Sequence, residues 1–287
     1  HSRRTLFAGA CLALALFATP ALAVVHNIKL GAPYAGASVM TPTTAESHLG
    51  TGSWSKLTTS PKAEAYIDVA TTFGTSFTID QIASVQYHTK SDVSNPSGTD
   101  FFMVLYTQPY VGGFASWYGQ RLTAEPYLTN GYVPQTPGAW SAWKTGAGAN
   151  QLTFNDANHS GNQGFYNAPT LADVQAGAID WSALGSNPTS GSASGGAIDY
   201  GAQPVKFLSF QTGSGWASFR GWLDDVTVTL TNGDVYVLDM ESTTDPLYVD
   251  GAWTGAGQGV EVVGFHQRQL VLVGEVVVIS EASRIIA

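Results

Sequence analysis

From Trp222 to Leu230 the chain alternates. Val226, Val228 and Leu230 are apolar, while Thr227, Thr229 and Thr231 are polar. A period of two sends successive side chains to opposite faces, so valine and leucine are expected toward a core and threonine outward. Asn232-Gly233-Asp234 then predicts a tight hairpin turn into a second strand, Val235–Met240. Similar short runs of β-branched and aromatic residues recur along the chain between turn clusters. They predict strands over Tyr66–Ala70, Phe73–Ile79, Ile82–Thr89, Phe101–Thr107, Trp117–Leu122 and Trp140–Lys144. Further strands are expected over Gln151–Phe154, Val205–Gln211 and Trp216–Phe219. No long amphipathic period appears.

One short helix is expected. Thr170 precedes Leu171-Ala172-Asp173 as a capping residue with an acid three positions on, and Gly177 ends the run. Residues 24–62 are rich in Pro, Gly and Thr and read as an N-terminal arm or a first edge strand. Residues 63–259 read as one β-sandwich domain. Residues 185–202, a Gly/Ser/Ala/Pro/Asn stretch, read as a long insertion within it. Residues 260–287 hold two more β-branched runs, Val260–Val263 and Leu270–Ile279, and read as a closing strand or tail.

The first residues change the picture. Ser2-Arg3-Arg4 precedes an apolar run from Leu6 to Phe17 and then Thr19-Pro20-Ala21-Leu22-Ala23. A basic start, a short hydrophobic run and a small-x-small site form a secretory signal peptide over residues 1–23, with the mature chain beginning at Val24. The run is too short to span a bilayer. Ser2-Arg3-Arg4-Thr5-Leu6-Phe7 is compatible with twin-arginine export as well as the Sec route. The protein is therefore expected outside the cytoplasm, secreted or periplasmic, with no stable membrane insertion. The single cysteine, Cys11, leaves with the leader, so a disulfide framework and thiolate chemistry are excluded.

The net charge is −9 at pH 7, and more acidic once Arg3 and Arg4 are removed. Nucleic acid and anionic membranes need basic patches, so neither is an expected partner. Gly-x-Ser-x-Gly, His-Glu-x-x-His, Gly-x-x-x-x-Gly-Lys and a regular calcium loop are all absent. His26, His48, His88, His159 and His266 show no metal-ligand spacing, and His88 reads as structural or exposed. Asp239 and Glu241 stand at i and i+2, the same-face spacing a glycosidase acid pair requires. They are expected to end an edge strand and face solvent. Asp224 and Asp225 are adjacent, so one must turn inward, where a carboxylate needs a partner or a metal. Asp224, Asp225 and Glu241 are thus the candidate ligands of a structural calcium.

Tryptophan is the remaining signal. Indole faces stack on sugar rings and leave the N–H for a hydroxyl. Trp117, Tyr118, Trp140 and Trp143, with the planar guanidinium of Arg121 beside them, are the candidate ligand-binding residues. Trp140 and Trp143 are three apart, so on a strand at most one can join a given platform.

Phe219-Arg220-Gly221-Trp222-Leu223-Asp224-Asp225-Val226-Thr227-Val228, followed by Asp239-Met240-Glu241, resembles the closing strands of secreted jelly-roll sandwiches of the concanavalin A-like and carbohydrate-binding-module type. Tyr106–Trp143 resembles exported bacterial proteins built the same way. The resemblance covers residues 100–242 and implies a two-sheet jelly-roll β-sandwich, with an aspartate of the Leu-Asp-Asp-Val-Thr-Val strand holding calcium or fixing the edge of the fold. It implies no activity, and the Glu-x-Asp-x-x-Glu strand of laminarinase-like jelly rolls is missing. The fold class expected is therefore all-β, a two-sheet jelly-roll sandwich with one short helix. The function expected first is non-catalytic binding of polysaccharide or cell-surface glycan. An extracellular glycoside hydrolase or polysaccharide lyase is the second reading, and a structural or adhesive envelope protein the third.

Overall fold

The computed structural model describes residues 23–31, 40–59, 62–95, 98–129, 132–156, 158–159, 169–181 and 197–241, together with strand segments inside 248–272. The fold is all-β, with two principal sheets. The larger contains β1 (Val25–Leu30), β2 (Thr41–Thr43), β3 (Ser53–Lys56), β5 (Ile82–Ser91), β8 (Trp140–Lys144), β10 (Gly221–Leu230) and β11 (Val235–Met240). Two short segments, β12 (Tyr248–Val249) and β13 (Ala252–Trp253), extend it beyond β1. The smaller sheet contains β4 (Glu64–Asp68), β6 (Phe102–Thr107), β7 (Arg121–Ala124) and β9 (Val205–Gln211), in the order β4-β9-β6-β7 and antiparallel throughout. β14 (Val262–His266) and β15 (Gln269–Leu272) form a separate hairpin. The remainder of Val260–Val263 and Leu270–Ile279, like residues 1–22, lies outside the described residues.

β10 is the axis of the larger sheet. β5 runs along it from Gly221 to Leu230. The other edge of β10 is divided: β3 pairs with residues 221–223 and β11 with residues 226–229. The expected hairpin joins β10 to β11, with Gly233 at φ +96° and Leu230 and Asp234 closing the turn. β1 lies beside β11 and is parallel to it, with Val25 opposite Val235. Of the range 24–62, read as an arm or a first edge strand, the described residues supply three strands to this sheet, with β2 at its edge. β1 sits between β11 and β12, and all of β3 is buried.

Both sheets turn alternate residues toward one core. Ile28, Trp54, Val85, Tyr87, Leu223 and Val226 come from the larger sheet, and Ile67, Met103, Leu105, Leu122, Leu208 and Phe210 from the smaller. Tyr87 meets Phe210 edge-on across the gap, ring centroids 4.9 Å apart. Burial of this apolar surface, at about 25 cal/mol per Å², is the principal stabilising term in a chain without disulfides.

Several expectations about elements are corrected. Phe73–Ile79 is not a strand. Asp68 caps a short helix, α1 (Val69–Phe73), by accepting from the Thr71 N–H, and Gly74 at φ +66° ends it. The caps outweigh the β-branched composition because they satisfy orphan backbone groups at both ends. With α2 (Leu171–Ala176), the expected capped helix, the described residues hold two short helices and not one. Trp216–Phe219 is a turn. Its carbonyls at Trp216, Ala217 and Phe219 converge on the Nζ of the buried Lys56, the shortest contact being 2.8 Å to Phe219 O. A strand would point those carbonyls alternately to either side and leave the ammonium without acceptors.

Candidate functional site

The outer face of the smaller sheet is aromatic. Tyr66 of β4, Phe102 and Tyr106 of β6 and Phe207 of β9 point away from the shared core. The loop between β6 and β7 folds back over them. Its backbone closes through Phe114 N–H to Gly119 O and Ala115 N–H to Tyr118 O, which sets Trp117 and Tyr118 at its tip. Gly119 is required there, because a Cβ would overlap the Gln108 carbonyl. Segment 117–120 is therefore loop, and β7 begins at Arg121.

Trp117 packs on Tyr106 at 5.0 Å and on Tyr118 at 4.4 Å between ring centroids, and still leaves 42% of its surface exposed. Lys206 holds the loop by donating to the Trp117 carbonyl at 2.9 Å. Phe114, 54% exposed, continues the aromatic surface from Tyr118 toward His159. His159 lines a cavity of about 620 Å³ with Gln108, Tyr110, Gln120, Asp199 and Gln203.

The cavity wall is a polar network. Gln120 donates to the Tyr110 hydroxyl, and its Oε1 accepts from His159 Nε2 at 2.6 Å. Behind it, the buried Asp156 accepts from the Tyr200 hydroxyl at 2.9 Å, and Tyr200 accepts from the Trp181 indole. Burial pushes the Asp156 carboxyl up, opposed by His159 and by its hydrogen bonds. Gln203 Oε1 is buried without a hydrogen-bond partner. Amides, a phenol and an imidazole beside a half-exposed indole form a surface suited to neutral hydroxyl-bearing ligands.

The sequence-predicted aromatics do not form one platform. Trp143 is fully buried, and its indole N–H donates to Asp100 Oδ2 at 2.7 Å and Thr89 Oγ1 at 2.8 Å. A buried indole needs such partners, and the facing Asp100 supplies one. Tyr118 is buried except for its edge and accepts from Asn158 Nδ2. Trp140 is partly exposed but belongs to β8 of the other sheet. Arg121 lies on β7, partly buried, with its Nε unpaired. Trp117, Tyr118 and Arg121 thus share one region, and Trp140 and Trp143 do not join it. Tyr110 and Gln120 lie ten positions apart in the β6–β7 loop and meet His159 and Gln203 from distant parts of the chain, so no local motif marks the group.

The acidic candidates also separate. Asp224 is buried, and four backbone N–H groups satisfy its carboxylate: His48 and Leu49 on Oδ2, Asp225 and Met240 on Oδ1. Burial raises its pKa against those four donors, which favour the ionised form. Glu241 is also buried, bound by Lys29 Nζ at 2.8 Å and Thr51 Oγ1 at 2.8 Å. Asp239 lies beside it under Gly50, buried rather than solvent-facing. Burial and the neighbouring Glu241 push its carboxyl up to about 7. Asp224, Asp225 and Glu241 are not a converging ligand set among the described residues.

Asp225 points elsewhere. Between Asp224 opposite His88 and Thr227 opposite Gln86, β10 carries one residue more than β5, and Asp225 sits at φ +50°. This β-bulge re-aims its carboxylate. Oδ2 lies 3.0 Å from His48 Nδ1 and 3.0 Å from His88 Nδ1. The two imidazoles stack with centroids 3.9 Å apart, and Trp140 flanks His48 at 5.5 Å. His88 is pushed up: burial works against its charge, but its hydrogen bonds to Asp225 and the nearby carboxylates prevail. The His88 hydrogen bond chiefly holds Asp225 down.

No protein-family model, curated protein or solved structure matches this chain.

Proposed function

We propose that this chain is an exported, non-catalytic jelly-roll sandwich of the concanavalin A-like kind that binds a polysaccharide or cell-surface glycan. The observation that carries the reading is the half-exposed Trp117, seated on Tyr106 and Tyr118 and continuous through Phe114 and His159 with a polar cavity. Sugar rings offer an apolar face for the indole and hydroxyls for Gln120, His159, Asp199 and Gln203. Among the described residues the cavity lining contains no Lys or Arg, which favours neutral sugars over acidic ones. Export is supported by the leader-like residues 1–23. Among the described residues the first strand starts at Val25, just beyond the expected cleavage, and N-terminal sequencing of secreted protein should return Val24.

The hydrolase reading needs two carboxylates facing a substrate. Asp239 and Glu241 are the pair with suitable spacing, and they are buried beneath Gly50 and bound to Lys29. The binding reading is tested on a glycan array, followed by titration of any ligand found. Trp117→Ala should weaken binding about fivefold, the loss of one stacked ring, and Trp117→Ala with Gln203→Ala by tenfold or more. Binding undiminished in the double variant, or no glycan bound at all, overturns the reading.

A further inference from the structure

We infer that His48, His88 and Asp225 form a divalent transition-metal site, with zinc as the best-matched ion, at the β10 bulge on the opposite sheet from the glycan surface. One potential ligand atom from each residue lies within 4.8 Å of the others, and both imidazole Nδ1 atoms are 3.0 Å from one carboxylate oxygen. Ligand atoms held about 2.0–2.1 Å from a tetrahedral zinc are about 3.3 Å from each other, so small side-chain rotations open this cluster to an ion.

The donor set chooses the metal. Two nitrogens and one carboxylate suit zinc and its neighbours, cobalt, nickel and copper, whereas calcium takes oxygen ligands almost throughout. The calcium expected from the acidic residues is therefore replaced at Asp225 by a softer ion.

The cluster is held in place by its surroundings. Asp225 is a non-glycine residue at φ +50°, a conformation retained only where the surroundings enforce it. Asp224 beneath it binds the His48 and Leu49 N–H groups and so anchors the loop that carries His48. The Lys90 ammonium, on the same strand as His88, is engaged by Glu46 at 2.6 Å. Without a metal, each Nδ1 must bring its own proton to the shared oxygen. A metal replaces both protons and neutralises Asp225. Three protein ligands leave a fourth position for water or another ligand.

The test is titration of the whole mature protein with Zn²⁺ and with Co²⁺. The proposal expects uptake of one ion per chain, cobalt absorption bands of a four- or five-coordinate site, and a higher Tm with Zn²⁺ but not with Ca²⁺. His48→Gln, Asp225→Asn and His88→Gln should each weaken uptake at least tenfold, and His26→Gln should leave it unchanged. His48 lies in an exposed loop, so His48→Gln retains the fold and stays informative if His88→Gln does not. Failure to bind either ion, equal uptake by His48→Gln, or a response to Ca²⁺ alone overturns the site.

Discussion

At the scale of single residues, adjacent aspartates do opposite work. Removing the Asp224 carboxylate orphans four backbone N–H groups and frees the loop that carries His48. Each buried donor left unpaired costs about 1–3 kcal/mol, and water recovers part of that, so Asp224→Ala should cost about 3–5 kcal/mol. Asp225 is only partly buried, and Asp225→Ala should cost about 1–2 kcal/mol, chiefly for alanine at positive φ. Urea unfolding of both variants measures the difference, and equal losses would contradict it. Gly50 poses a different constraint. It sits at φ +62°, and a Cβ would strike Glu241 Oε1 and Asp239 Oδ2. Gly50→Ala should therefore destabilise by at least about 2 kcal/mol, whereas alanine at the open Gly146 should be near neutral.

At the scale of elements, caps and bulges decide what composition leaves open. α2 begins with a reciprocal capping box, Thr170 Oγ1 accepting from Asp173 N–H and Asp173 Oδ2 from Thr170 N–H at 2.9 Å. Thr170→Ala should cost about 1 kcal/mol and loosen the contact of Gln175 Nε2 with the Ile79 and Ile82 carbonyls. Hydrogen exchange at the Ile82 end of β5 reports that loosening, and unchanged protection there would argue against the coupling. The bulge in β10 is the other device. Leu223 and Val226 are three residues apart yet both enter the core, which strict alternation forbids. The extra residue at 224–225 resets the phase and turns Asp225 toward the histidines.

At the scale of the whole molecule, buried carboxyls set the dependence on pH. Asp100 is enclosed by Thr89, Trp143 and the Phe101 N–H, and burial pushes it up to about 7. Its folded pKa exceeds the unfolded value of 3.8. Between these values the folded chain holds a proton that the unfolded chain has released. The associated stability is complete below the lower value and is lost as pH rises through the upper one. Asp239, also raised to about 7, acts in the same direction. Tm should fall by several degrees between about pH 5 and about pH 8, and Asp100→Asn should flatten that fall. A Tm that rises over the interval, or an Asp100→Asn slope equal to that of the parent protein, would contradict this origin.

Local pattern determined much of the molecule. The alternation in β10, the Asn-Gly-Asp hairpin, β8, β9, β11 and the capped α2 were legible in sequence because each is set by neighbours within a few positions. One of the paired aspartates is buried, as expected, but Leu223 beside it enters the core, so Asp224 owes its burial to the loop that donates to it and not to the pleat. What tertiary structure decided involves residues far apart in the chain. Lys56 gathers the carbonyls that make 216–219 a turn, and Asp100 draws Trp143 into the core. His48 and Asp225 meet across 177 positions, a separation no spacing motif encodes. Short-range periodicity records which face of a strand is buried. It does not record which strands become neighbours, and the candidate sites lie where that choice brings imidazoles, amides and carboxylates together.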